Sequence, residues 1–140
     1  MTVNDIIKAA AVKLGELFPD RLTYYGEIHN EADGNHYIRC INQSHEKRLD
    51  RRRARSYSFE IYYFRRDKGA LEFNAWAETM YFAFESLVVG GQTLHITGAH
   101  AEDGDDGVFH FVFDVDFVAL VEPEAAEPME TLDATEVVKP

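Results

Sequence analysis

The sequence predicts an α+β fold, a mostly antiparallel sheet packed with two helices in the order α-β-β-β-α-β-β-β, and three observations carry that prediction. Residues 3–18 and 71–84 place apolar side chains at helical spacing. Residues 56–64 and 108–118 alternate apolar and polar side chains, the period of a strand with one buried face. Between the later strands stand Gly90-Gly91 and an Asp/Gly run at 103–107, both rich in residues that tolerate turn dihedrals.

In the first helix Val3, Ile6, Ile7, Ala10, Leu14, Leu17 and Phe18 form one stripe, opposed by Asp5, Lys8, Lys13 and Glu16. Thr2 is placed to cap it, with Asp5 three residues on, and Pro19-Asp20 ends it because proline cannot continue a helix. Aromatic and β-branched residues then predict a hairpin of strands 22–28 and 36–43 around the polar stretch 30–35. In strand 56–64, Tyr57, Phe59, Ile61 and Tyr63 are expected to face the core, and Ser56, Ser58, Glu60 and Tyr62 to face away. Residues 45–55 are too polar to bury and longer than a tight turn, so they are expected to project as an exposed loop or hairpin tip. The second helix carries Phe73, Trp76, Ala77, Met80 and Phe84 on the stripe that should cover the sheet. A short strand 87–89, the Gly90-Gly91 turn, a strand 92–102 and the turn 103–107 lead to strand 108–118. There Phe109, Phe111, Phe113, Val115 and Phe117 share one face.

A chain of 140 residues fits a single domain, expected over 1–121, and at that size about 68–70% of the unfolded surface is buried on folding. Apolar residues make up 46% of the sequence, including ten Phe and seven Tyr, which is the profile of a packed globular domain. Residues 122–140 shift to Pro, Ala and Glu and are expected to form an acidic arm whose Met129, Leu132, Val137 and Val138 could dock on a neighbour. No apolar run approaches the roughly 20 residues that span a bilayer, and the N-terminus lacks the pattern of a signal peptide. The expected location is the cytosol. Cys40, the single cysteine, cannot form an internal disulfide and reads as a small buried hydrophobe.

The net charge of −11 argues against general binding to nucleic acid, which draws on basic domains. Its distribution is uneven: residues 1–70 hold 13 Lys/Arg against 10 Asp/Glu, while residues 71–140 hold one against 15. Catalytic and metal-binding patterns are weak. His110, Asp114 and Asp116 share a strand face, but side chains four residues apart on a strand lie about 13 Å apart, too far to chelate one ion unaided. His95 and His100 fall on opposite faces of a regular strand. The run 103–107 lacks the glycine and glutamate positions of a calcium loop and reads as a turn. No G-x-S-x-G and no phosphate-cradling glycine loop is present. No catalytic residue, metal site or cofactor is assigned, and an enzyme would need a pocket around His95, His100 or His110.

The strongest local signal is Lys47, Arg48, Arg51, Arg52, Arg53 and Arg55, six cations within nine residues of an acidic protein. Three readings stay open: a solvated loop, a grip on nucleic-acid phosphates, and a protein interface in which guanidinium forks meet carboxylates. In the third, the acidic half of another copy supplies those carboxylates. Such a contact is head to tail, and repeated by rotation it closes into a ring.

The string Cys40-Ile41-Asn42-Gln43-Ser44-His45-Glu46-Lys47, with Arg51-Arg52-Arg53, Ser56-Tyr57-Ser58-Phe59 and the run from Leu71 to Tyr81 (LEFNAWAETMY), resembles a family of small prophage proteins, the phage tail terminators. The strand 108–117 and its preceding acidic turn fit as well, so the resemblance runs over residues 3–120. It implies a structural, non-enzymatic protein that forms a homo-oligomeric ring, commonly a hexamer, capping the tail tube and presenting the head-joining surface. Its implied partners are the tube protein and head-completion proteins, with neither a membrane nor sequence-specific nucleic acid, first in the bacterial cytoplasm and then in the virion tail. The alternative is a small nucleic-acid- or partner-binding module that uses segment 47–55. The acidic arm after Val121 is not matched by the resemblance.

Overall fold

The computed structural model of the protein describes residues 1–26, 34–65, 69–104 and 107–120. Helix α1 (Val3–Leu17) starts in a capping box: Thr2 Oγ1 accepts from the Asp5 N–H at 3.2 Å, and the Asp5 carboxylate accepts from the Thr2 N–H at 2.9 Å. Two otherwise unpaired backbone donors are thereby satisfied. The helix stops one residue before Phe18, ahead of Pro19. There follow β1 (Thr23–Tyr24), β2 (His36–Lys47), β3 (Arg52–Phe64), α2 (Ala70–Ala83), β4 (Ser86–Val89), β5 (Gln92–Asp103) and β6 (Val108–Leu120). The predicted α+β architecture and element order are those observed.

The six strands form one sheet in the order β1-β2-β3-β6-β5-β4. All pairs are antiparallel except β1 with β2. This exception corrects the expected hairpin of strands 22–28 and 36–43: Thr23 and Tyr24 run parallel to His36 and Tyr37, and the His36 N–H donates to Leu22 O at 2.8 Å. Hydrophobic spacing marks a strand without giving its direction, which explains the error. Residues 27–33, which include the end of that predicted strand and most of its turn, lie outside the described residues.

The alternation in β3 and β6 decides which face is covered. Tyr57, Phe59, Ile61 and Tyr63 of β3 and Phe109, Phe111, Phe113 and Val115 of β6 are buried in one cluster with Ile6, Ala10 and Leu14 of α1 and Trp76 and Met80 of α2. Both helices therefore lie on the same side of the sheet, and the other side is open. Gly90 and Gly91 adopt φ of 59° and 83°, the double left-handed turn that suits a two-residue hairpin between β4 and β5. Gly107 at φ 80°, with Gly104 N–H donating to Val108 O, marks the tight turn expected at 103–107, whose residues 105 and 106 lie outside the described set.

Two polar features sit within this layer. Lys13 Nζ donates to the carbonyl oxygens of Ala83 at 2.7 Å and Ser86 at 3.1 Å, tying α1 to the end of α2 and the start of β4. His36 is fully buried, stacked on Tyr63 with ring centroids 4.2 Å apart and tilted against Phe18 at 4.8 Å. Its Nε2 lies 3.4 Å from the Trp76 indole N–H, which can only donate, so the neutral ring carries its proton on Nδ1. Burial, reinforced by the charges of Arg21 and Arg65, pushes the His36 pKa down to about 3.

Candidate assembly interface

The ends of β2, β3 and β6 form a three-stranded ribbon with β3 in the middle. Lys47 pairs with Arg53, Glu46 with Ala54 and His45 with Arg55, and on the other side of β3 Arg52 pairs with Leu120 and Arg55 with Phe117. The turn is short. The Arg48 N–H donates to Arg52 O at 3.0 Å, and Asp50 takes the left-handed φ of 63° that short polar side chains tolerate. The expected projecting hairpin tip is present, whereas the loop of residues 45–55 is not: most of that stretch is strand. Mixed polar residues on an exposed ribbon show no alternation, so the extension was not visible in the spacing.

The six predicted cations divide by register. Lys47, Arg53 and Arg55 share the helix-side face with His45, Tyr57, Phe117 and Ala119, because residues opposite one another in a ladder point to the same side. Arg52 faces the open side, and Arg48 and Arg51 lie in the turn. Arg48 makes an exposed ion pair with Glu46 at 3.7 Å, of the kind that contributes about 0–1 kcal/mol. Arg55 is half-buried: its Nη1 donates to Met1 O at 3.0 Å, and its Nε is buried without a hydrogen-bond partner among the described residues. His45 Nε2 and the Tyr57 hydroxyl are 2.8 Å apart at the base of the ribbon. Sequence spacing missed the contributions of Phe117, Ala119 and Leu49, the last of which is 79% exposed at the tip; the register with β6 brings in the first two.

The open side of the sheet is polar and acidic. Ser58 Oγ donates to Asp114 at 2.6 Å, and Thr97 Oγ1 lies within reach of Asp114 O and Asp116 Oδ2 at 3.1 and 3.2 Å. Glu60 accepts from the Tyr62 hydroxyl at 2.9 Å and lies 2.8 Å from His110 Nδ1. Burial and the Glu60 carboxylate raise the pKa of that hydroxyl. His110, Asp114 and Asp116 do share a face, as expected. His95 and His100 are not on opposite faces: the register shifts between Ile96 and Gly98, and the added residue turns both histidines to the open side. No group of three His, Cys, Asp or Glu able to hold a metal ion occurs among the described residues. Cys40, beside the bulge in β2, is half-buried, with its thiol directed at Asn42 O at 3.3 Å.

The sheet places unlike charge at its two ends. The cationic tip, where Arg52 meets Leu120, is about 40 Å from the end where Phe64 meets Val108, for a strand rise near 3.3 Å per residue. At that far end stand Glu102 and Asp103, with Asp105 and Asp106 following in the sequence, while Arg65 there is paired to Glu72 at 2.7 Å. Among the described residues no helix is long and apolar enough to cross a membrane.

Of the solved structures that match, one covers 89% of this chain and 99% of its own at 13% identity, with a TM-score of 0.48. Among curated proteins none matches significantly. A family model described as "Phage tail terminator protein" matches residues 5–127, most of the chain and all of the sheet, and the protein accordingly belongs to the phage tail terminator family.

Proposed function

We propose that this protein completes the phage tail as a non-enzymatic, self-assembling ring that caps the tail tube and forms the head-joining surface. Neighbouring copies meet head to tail, with Lys47, Arg48, Arg51, Arg52, Arg53 and Arg55 of one facing the acidic β5–β6 end of the next. The observation that carries this reading is the separation of the cationic tip from Glu102 and Asp103 along the sheet, because a protomer with unlike poles is complementary to its own copy. Family membership supports the role in the tail. The tube protein and head-completion proteins are its partners, during assembly in the bacterial host and then in the virion.

The test is the full chain carrying Arg51→Glu, Arg52→Glu and Arg53→Glu beside the wild type. Sedimentation velocity at low and high salt reports assembly, and electron microscopy with purified tube protein reports capping. The expected result is a wild-type ring at low salt, density at one tube end with shorter and more uniform tubes, and loss of both in the variant with unchanged thermal unfolding. Equal assembly by the two proteins would remove the tip from the interface. Submicromolar DNA binding abolished by the same changes, with no effect on tube length, would favour the nucleic-acid module instead.

A further inference from the structure

Three features of the ribbon's helix-side face point to an anionic occupant. Lys47 stands directly opposite Arg53, although like charges across a ladder destabilise it, and Arg55 follows on the same face. Arg55, held by its bond to Met1 O, keeps a buried Nε without a partner among the described residues. Beside these cations lie Phe117 and Ala119, both half-buried and apolar, so the face suits a segment that combines carboxylates with a few apolar side chains.

The sequence places such a segment at this spot. The last described residue of β6, Leu120, pairs with Arg52, so the described chain ends at the tip of the cationic ribbon. The next residues, 121–140, contain Glu122, Glu124, Glu127, Glu130, Asp133 and Glu136 against the single cation Lys139, together with Met129 and Leu132. We propose that this acidic C-terminal segment docks on the Lys47, Arg53 and Arg55 face of its own ribbon. Reach is no obstacle: a flexible stretch of ten residues spans about 17 Å, whereas Arg52 and Arg55 are about 10 Å apart along the strand. Tethering gives the segment a local concentration on the order of millimolar. A site of equal affinity on another copy at micromolar concentration competes at a disadvantage of about a thousandfold. The inference rests on and deepens the interface reading above, since the same cations serve both contacts.

Paramagnetic relaxation on the full chain tests this. A nitroxide is attached at Ala134→Cys in a Cys40→Ser background, and backbone amide intensities are compared before and after reduction of the label. The expected result is selective broadening of Lys47, Arg53 and Arg55 within the labelled, isotope-enriched chain. It should disappear at 1 M NaCl, where the Debye length is about 3 Å, and when the six acidic residues are changed to Gln or Asn. Enriched chains mixed with separately spin-labelled, unenriched chains report contacts between copies. Absence of broadening at the ribbon, broadening seen only in the mixed sample, or persistence in the neutralised variant would each overturn the proposal. Sedimentation of the same samples reads self-assembly separately, so the ring can fail while the docked segment stands, and the reverse.

Discussion

Acidification should destabilise this protein through one identifiable residue. His36 is fully buried between Tyr63, Phe18 and Trp76, and loss of hydration, with Arg21 and Arg65 nearby, holds its pKa at about 3 against an ordinary 6.5. A depressed value means that the folded state keeps the ring neutral while the unfolded state takes up a proton as pH falls below about 6.5. The associated stability is therefore complete above that pH and is lost progressively towards pH 3. From pH 7 to pH 5 linkage gives a loss of about 2 kcal/mol, at about 1.4 kcal/mol per pH unit once the unfolded histidine is protonated. The assay is a difference between two proteins, which isolates the contribution of His36. Urea unfolding of wild type and His36→Phe is followed at pH 7, 6 and 5 and at one protein concentration. The variant keeps a ring in the aromatic stack and leaves the Trp76 N–H without its acceptor, so its stability at pH 7 falls; its pH dependence should be shallower than that of the wild type by about 2 kcal/mol. Parallel slopes in the two proteins would refute the argument.

Phe111→Ala and Trp76→Ala should each cost about 3–5 kcal/mol by chemical unfolding, since Phe111 is fully buried against Trp76, Phe84 and Phe113 and Trp76 is nearly so. A loss under about 1 kcal/mol at either position would contradict its core placement. Lys13→Met removes the donor to Ala83 O and Ser86 O and should cost about 1–3 kcal/mol while hydrogen exchange at the α2–β4 junction accelerates. Unchanged exchange there would mean that the junction holds without the ammonium group.

The parts of the fold that the sequence made legible are those where burial on one side imposes a period. In β3 and β6 every second side chain enters the core, and in both helices the apolar stripe faces the sheet, so spacing alone places Phe59, Phe113, Ala10 and Trp76 correctly. Strand direction leaves no such trace, so spacing predicts a hairpin where Thr23 and Tyr24 form a parallel pair with His36 and Tyr37. Bulges leave little trace either: one added residue near Thr97 moved His100 to the face already occupied by His95. For the candidate interface, the cluster of cations was plain from composition. Its division into a helix-side set and an open-side or turn set depends on pairing with β2 and β6, which distant residues decide.

The position of β6 in the sheet carries a consequence for how the chain is made. Among the described strands β6 is the last in sequence, and it lies between β3 and β5. Without β6 no strand joins β1-β2-β3 to β5-β4, and the β3 edge bearing Phe59, Ile61 and Tyr63 has no partner. Exposed hydrophobic edges of this kind are prone to join with other chains, and contacts between residues so far apart in sequence close slowly. Insertion of β6 pairs thirteen residues with β3 in one step and separates an aggregation-prone nascent chain from a finished subunit. A chain that stops short of residue 108 lacks the strand that joins β3 to β5 and leaves both of those edges open.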